Sequence, residues 1–383
     1  MDNKGIARER VLAICYDFDK TLSPTDMQAQ GYIQSVGYDV QSFWKKSNGL
    51  AKDNKMDQNL AYMLLMKDSS RGKIVFTKQK LEEYGSKVEL FPGVEEWFSR
   101  INEYGNSKGI EIEHYIISSG LKEMIEGTSL GKRGVFKEIY ASSFYYDDRG
   151  EATWPAQVVN YTNKTQFLFR IEKGTLDVND SSVNDYFPSD KIRVPFRNMI
   201  YIGDSDTDVP CMKLVNSKGG YSIGVFDPRT NNKTKVYKML NDNRIQYFLA
   251  ADYTDGSQLD CLVKTIIDKT VSNEKLEQFH ENNKIEVLEF EKETSAEQQL
   301  KNNLMNELED SFNFSRTHKV IGKMEEISEW NQNDVDRLCF IALNNSQVRY
   351  ILSDGDVNSF FRRVIQGKNS ERVDELKKYL GDA

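Results

Sequence analysis

The stretch from Val11 to Ser23, VLAICYDFDKTLS, constrains this chain more than any other. An apolar and aromatic run, Val11 to Tyr16, leads straight into Asp17-Phe18-Asp19-Lys20-Thr21. An unbroken run of this kind fits a strand buried on both faces, as in a parallel sheet. Side chains two residues apart in extended chain point the same way. Asp17 and Asp19 therefore face one small volume at the carboxyl end of the strand, where open α/β sheets bind ligands. Two carboxylates this close repel, and one holds a proton unless a cation intervenes. Such a pair works against stability, which points to chemistry.

Three later segments have the same form. Ile110 to Ile117 reads as a second buried strand and runs into Ser118-Ser119-Gly120. A hydroxyl after a buried strand, followed by glycine and a helix, makes a phosphate cradle, because the hydroxyl and the first helical amides both donate to anionic oxygens. Lys164 opens a helix that Asn163 is placed to cap. A lysine there opposes the helix dipole, which makes sense if an anion binds beside it. Val194 to Gly203 reads as a further strand, ending in Gly203-Asp204-Ser205-Asp206-Thr207-Asp208. Glycine lets the backbone turn closely around a ligand. Asp204 and Asp208, four residues apart at a loop-to-helix junction, can reach one cation, whereas Asp206 is placed to cap the helix.

These segments resemble the four motifs of the haloacid dehalogenase superfamily. Asp17-x-Asp19-x-Thr21 is similar to motif I, Ser118 to motif II, Lys164 to motif III, and Gly203-Asp204 with Asp208 to motif IV. The phosphoserine-phosphatase-like branch is the most similar, and the resemblance runs from Val11 to Val271. It implies an α/β fold: a Rossmann-like parallel sheet as core, with a helical C1-type cap, to which this chain adds a C-terminal helical extension. It also implies a phosphomonoesterase that works through an aspartyl phosphate. Asp17 is then the nucleophile and Asp19 the acid and base. Ser118, Ser119, Gly120 and Lys164 bind the phosphate. Mg²⁺ is held by Asp17, the Asp19 carbonyl and Asp204, with Asp208 behind. Asp19 separates the phosphatases from the superfamily dehalogenases, which lack an acid at that place, and from the transport ATPases, which carry Thr. A phosphotransferase or mutase with the same residues is the alternative, as is a non-catalytic scaffold whose tail binds a partner.

Calcium competes as a reading of both Asp-x-Asp segments. An EF-hand loop needs Gly at its sixth position and Glu at its twelfth. Those positions hold Leu22 and Gln28 in one case and Val209 and Val215 in the other, so the motif fails at both.

The expected organisation is a catalytic core over 1–24 and 89–271, a helical cap over 25–88, a charged helical connector over 272–314 and a small helical domain over 315–383. The hairpin expected over 145–159 takes Asp147-Asp148-Arg149-Gly150 as its turn. The formal charge of -8 leaves no basic footprint for nucleic acid. Four scattered cysteines without a CxxC pair fit a reducing cytoplasm. The start of the chain has no apolar stretch of signal-peptide type, because Asp17 interrupts it. No run is long enough to span a bilayer. The expected partners are a small phosphorylated substrate, with neither nucleic acid nor membrane, and a protein partner or second copy bound through 272–383.

Overall fold

Every residue of Val11–Tyr16 is buried, so this first strand is covered on both faces. The computed structural model describes residues 10–381, without the side chains of Asp190 and residues 292–295. The first nine residues, which belong to the N-terminal segment considered above, lie outside the described residues, as do the last two.

The strands are β1 (Val11–Tyr16), β2 (Glu111–Leu121), β3 (Glu138–Tyr146), β4 (Ala152–Gln157), β5 (Met199–Gly203), β6 (Tyr221–Phe226) and β7 (Tyr247–Ala250). They form one sheet in the order β4-β3-β2-β1-β5-β6-β7. Every pairing is parallel except β3 with β4, the hairpin around Asp147–Gly150. This is the sheet that the alternation of strands and helices predicts. Its register positions the site. Tyr16 lies opposite Ile116 of β2 and Ile202 of β5, so the residues that follow leave the sheet at one level. The Asp17 amide donates to the Ile202 carbonyl at 3.0 Å, which ties the first motif to the fourth.

Between β1 and β2 stand the cap helices α1 (Tyr32–Ser35), α2 (Val40–Asp53), α3 (Gln58–Ser70) and α4 (Lys78–Gly85), then α5 (Val94–Ser107). Helix α5 buries Val94, Trp97, Phe98 and Ile101, the face its spacing indicates. Burying one such side chain contributes about 1.5–3 kcal/mol. Helices α6 (Lys122–Gly127), α7 (Ser129–Lys132), α8 (Lys164–Lys173), α9 (Val209–Ser217) and α10 (Thr234–Asn241) follow in the connections.

Helix α11 runs unbroken from Gln258 to Glu309, where the sequence suggests a closing helix and a separate connector. No Pro or Gly occurs in that range, so nothing stops the helix. The chain divides into two compact units after Leu276. The second holds the end of α11, then α12 (Phe314–Met324), α13 (Gln332–Asn344), α14 (Ser346–Tyr350), α15 (Gly355–Ile365) and α16 (Glu371–Tyr379). Its own core joins Leu304 and Leu308 to Ile321, Leu338, Phe361 and Leu376. The helical domain thus begins inside the expected connector. No helix among the described residues is long and apolar enough to cross a membrane.

One buried titratable group should be visible in stability measurements. His114 on β2 is 2 % exposed, with its ring between the Tyr16 hydroxyl at 3.0 Å and Asn102 Oδ1 at 2.9 Å. Burial pushes its pKa down to about 3. The native state therefore keeps His114 neutral while the unfolded chain protonates it near 6.5. The resulting stability is present above pH 6.5 and is lost as pH falls toward 3. Relative to His114→Gln, the wild type is expected to lose roughly 1.4 kcal/mol per pH unit over that window. Urea unfolding at pH 7, 5.5 and 4 checks this, and a constant difference between the two proteins would refute it.

Candidate active site

The chain leaves β1 through a tight turn. The Phe18 carbonyl accepts from the amides of Thr21, Leu22 and Ser23 at 3.3, 2.9 and 3.1 Å. Lys20 takes φ +59°, a left-handed conformation that costs a non-glycine residue roughly 1–2 kcal/mol. This turn brings Asp19 back beside Asp17. Asp19 Oδ1 accepts from the Met27 amide at 2.8 Å, which fixes the carboxyl against the entry to the cap. Burial, then the Asp26 and Asp17 charges, pushes the Asp19 pKa well above the usual carboxylate range. A carboxyl pushed in this direction holds its proton more readily, as a general acid must.

Asp17 is 6 % exposed and its pKa is pushed up to about 6, first by burial and then by Asp208. Lys164 is fully buried. Its Nζ donates to Asp208 Oδ1 at 2.7 Å and stands 3.2 Å from Asp17 Oδ1, an ion contact without hydrogen-bond alignment. Burial works against the lysine charge, but Asp17 and Asp208 outweigh it and hold its pKa above the ordinary value. The anions beside the start of α8 are thus protein carboxylates. Asn163 makes no side-chain cap to α8; its Oδ1 accepts instead from the Asn160 amide at 2.8 Å.

Asp208 has no free lone-pair direction. Oδ1 accepts from Lys164 and from the Tyr201 hydroxyl at 3.0 Å, and Oδ2 from the Ser205 amide at 3.2 Å and the Ser205 hydroxyl at 3.0 Å. Gly203 is needed for this packing, because a Cβ there would meet the Asp208 carboxyl at 2.7 Å. Asp204 differs: it makes an ion pair with Lys235 at 3.6 Å. Burial is the first cause that pushes its pKa up to about 7. One carboxylate oxygen each from Asp17, Asp204 and Asp208 lies within 4.8 Å of the others. The cluster suits a divalent cation: Asp17 Oδ1 is buried without a hydrogen bond, and hard cations take carboxylate oxygens.

Ser118 is buried, and its Oγ accepts from the Gly120 amide at 3.1 Å. Ser118, Ser119 and Gly120 continue β2, and α6 starts only at Lys122. The cradle is therefore a strand end and not a helix N-terminus. The cap closes over it: the Tyr62 hydroxyl donates to the Ser119 carbonyl at 2.7 Å. At the start of α3, Asp57 Oδ2 accepts from Asn160 at 2.8 Å and Asn59 donates to the Val159 carbonyl at 2.7 Å, both in the loop before Lys164.

Asp17, Asp19, Ser118, Ser119, Gly120 and Asp204 line one cavity of about 290 Å³, together with Gln28, Trp44, Asn59 and Tyr62 from the cap side. Lys164 and Asp208 sit behind its floor. A larger hollow of about 560 Å³, lined by Lys67, Arg71, Lys73 and Glu151 among others, holds none of the motif residues. Sequence reasoning missed Tyr201 and Gln28. Tyr201 reads as one more apolar strand position, and only the folded sheet shows what its hydroxyl meets.

A mostly parallel sheet with acidic strand ends gathered beside a buried lysine defines an α/β protein with a candidate site at the carboxyl ends of its strands. The sequence profile of haloacid dehalogenase-like hydrolases matches residues 14–213, more than half of the chain, and the chain belongs to that family. An uncharacterized protein of Borreliella burgdorferi is 27 % identical over 280 residues, covering 66 % of this chain and 95 % of its own. Among solved structures, a haloacid dehalogenase family hydrolase from Salmonella enterica serovar Typhi has 18 % identity, 68 % and 72 % coverage of the two chains and a TM-score of 0.45. A probable phosphoserine phosphatase from Vibrio cholerae has 13 % identity, 71 % and 68 % coverage and a TM-score of 0.43.

Proposed function

We propose that this chain is a Mg²⁺-dependent phosphomonoester hydrolase that acts on a small phosphorylated metabolite through an aspartyl phosphate. The observation that carries the reading is the meeting of Asp17, Asp19, Ser118 and Asp204, from three separate strand ends, around one cavity with Lys164 beneath. Asp17 attacks phosphorus and the bond to the leaving oxygen breaks, while Asp19 gives its proton to that oxygen. Asp19, now a base, takes a proton from water. The water oxygen bonds to phosphorus, the bond to Asp17 breaks, and inorganic phosphate leaves. Ser118 donates to the phosphoryl oxygens, and Lys164 neutralises charge from below. Mg²⁺ would be held by Asp17, the Asp19 carbonyl and Asp204, and would neutralise charge on the phosphoryl group. In this reading Asp208 positions Lys164. Four unpaired cysteines support a cytoplasmic setting.

The test is hydrolysis of p-nitrophenyl phosphate with and without Mg²⁺. EDTA is expected to abolish turnover and Mg²⁺ to restore it. Because Asp17 and Asp204 must shed protons to bind the ion, the half-saturating Mg²⁺ concentration should rise about twentyfold from pH 8 to pH 6. Turnover indifferent to EDTA would remove the metal assignment.

A further inference from the structure

Four side chains that the cap segment contributes to the cavity lining, Gln28, Trp44, Asn59 and Tyr62, are neutral. Of the two lysines at the cavity's border, Lys20 pairs with Asp26 at 2.7 Å, and Lys235, whose side chain is 45 % exposed, stands 3.6 Å from Asp204. Gln28 lies on the short 3-10 turn Met27–Ala29 and is 2 % exposed. Among the described residues its carboxamide has no hydrogen-bond partner. Its polar atoms are not among the buried ones that lack a partner, so they open to the cavity, where an incoming group can meet them. Asn59 spends its amide group on Val159, and no donor among the described residues reaches its Oδ1. Trp44 packs edge-to-face on Tyr62, with ring centroids 5.9 Å apart, and the Tyr62 hydroxyl is held by Ser119. The result is a fixed aromatic wall beside two amides with spare hydrogen-bonding capacity.

We propose that the leaving group is an uncharged, hydrogen-bonding alcohol, of sugar or nucleoside type, read by Gln28 and Asn59 with its flat or apolar face on Trp44. This deepens the phosphatase reading and rests on it. An amino-acid phosphate brings a carboxylate and an ammonium, and a bisphosphate brings a second dianion. None of Gln28, Trp44, Asn59 and Tyr62 offers either of them an opposite charge, and a buried charge without a partner is strongly disfavoured. The cavity lies at the lower end of the range for small-molecule sites, so the alcohol is small.

The experiment compares kcat/KM for a hexose 6-phosphate, a nucleoside 5′-monophosphate and O-phosphoserine, with p-nitrophenyl phosphate as reference. One of the two neutral-alcohol esters is expected to exceed O-phosphoserine by at least about tenfold, and which one it is separates the two sources. In Gln28→Leu, kcat/KM for that ester should fall about tenfold relative to p-nitrophenyl phosphate, chiefly through KM. Gln28→Glu, which keeps the shape but removes the amide's donor, should lower the same ratio as well. Parity with or preference for O-phosphoserine overturns the proposal, as does an unchanged ratio in both variants. If p-nitrophenyl phosphate is hydrolysed, those outcomes leave the hydrolase reading standing. If no ester is hydrolysed with Mg²⁺, both readings fall.

Discussion

Asp17→Asn is expected to lower Mg²⁺-dependent hydrolysis of p-nitrophenyl phosphate by at least about 10⁴-fold, the scale on which removing a nucleophile acts. An amide nitrogen cannot form the acyl phosphate, and its neutral oxygen is a poor nucleophile. The substitution also removes one of the carboxylates clustered within 4.8 Å, so Mg²⁺ binds less well. Stability should move the other way. Asp17 has its pKa pushed up to about 6 by burial and by Asp208, so its charge is held at a cost to the fold. Asparagine occupies the same volume without charge, and Lys164 keeps Asp208 as its partner at 2.7 Å. At pH 8 the unfolding midpoint of the variant should therefore equal or exceed that of the wild type. An inactive variant that is also unfolded would leave the role of Asp17 unsupported. A folded variant within tenfold of wild-type turnover would remove Asp17 as nucleophile.

How much of this could be read beforehand differs from residue to residue. Asp17 and Asp19 were legible because a strand has a period of two, and an apolar run that stops at two acids leaves few other geometries. The parallel sheet was legible for the same reason, since buried strands separated by amphipathic helices admit few arrangements. Lys164 was legible by position, yet its burial was not. A first-turn lysine looks solvated until Asp208 and Asp17 are brought to it from segments far along the chain. Ser118-Ser119-Gly120 has the composition of a helix start, but pairing of Leu121 with Ser142 keeps the backbone extended past it. The Asp57–Asn160 and Tyr62–Ser119 bonds that fasten the cap join residues 103 and 57 positions apart. Such contacts belong to tertiary packing and leave no local pattern.

Lys164→Met should produce the largest combined loss of stability and activity. Methionine is close in length and fills the buried space, so the change isolates the charge. Removing one partner of a buried ion pair typically costs about 3–5 kcal/mol, because the other charge is stranded. Here two carboxylates would be stranded together, Asp208 and Asp17, which the lysine contacts at 2.7 and 3.2 Å. Asp17, whose pKa the lysine lowers, would respond by keeping a proton to higher pH. A carboxyl whose folded pKa lies above its unfolded value binds more protons in the native state, so stability falls as pH rises. The variant is therefore expected to be more stable at pH 5 than at pH 8 relative to wild type, and urea midpoints at the two values check it. Mg²⁺ should recover part of the loss at pH 8, since a cation bound only to the native state stabilises it. Turnover should fall about 10²–10³-fold even with saturating Mg²⁺, as expected for losing one preorganised charge beside the transferring group. Asp208→Asn offers a second measure of the same device. It keeps the lysine but loosens it, so turnover should drop less than in Lys164→Met while the Tyr201 hydroxyl still donates to the carboxamide oxygen. If Lys164→Met matched the wild type in turnover and showed no pH-dependent loss of stability, the lysine would be no more than a space-filling residue under the cavity floor.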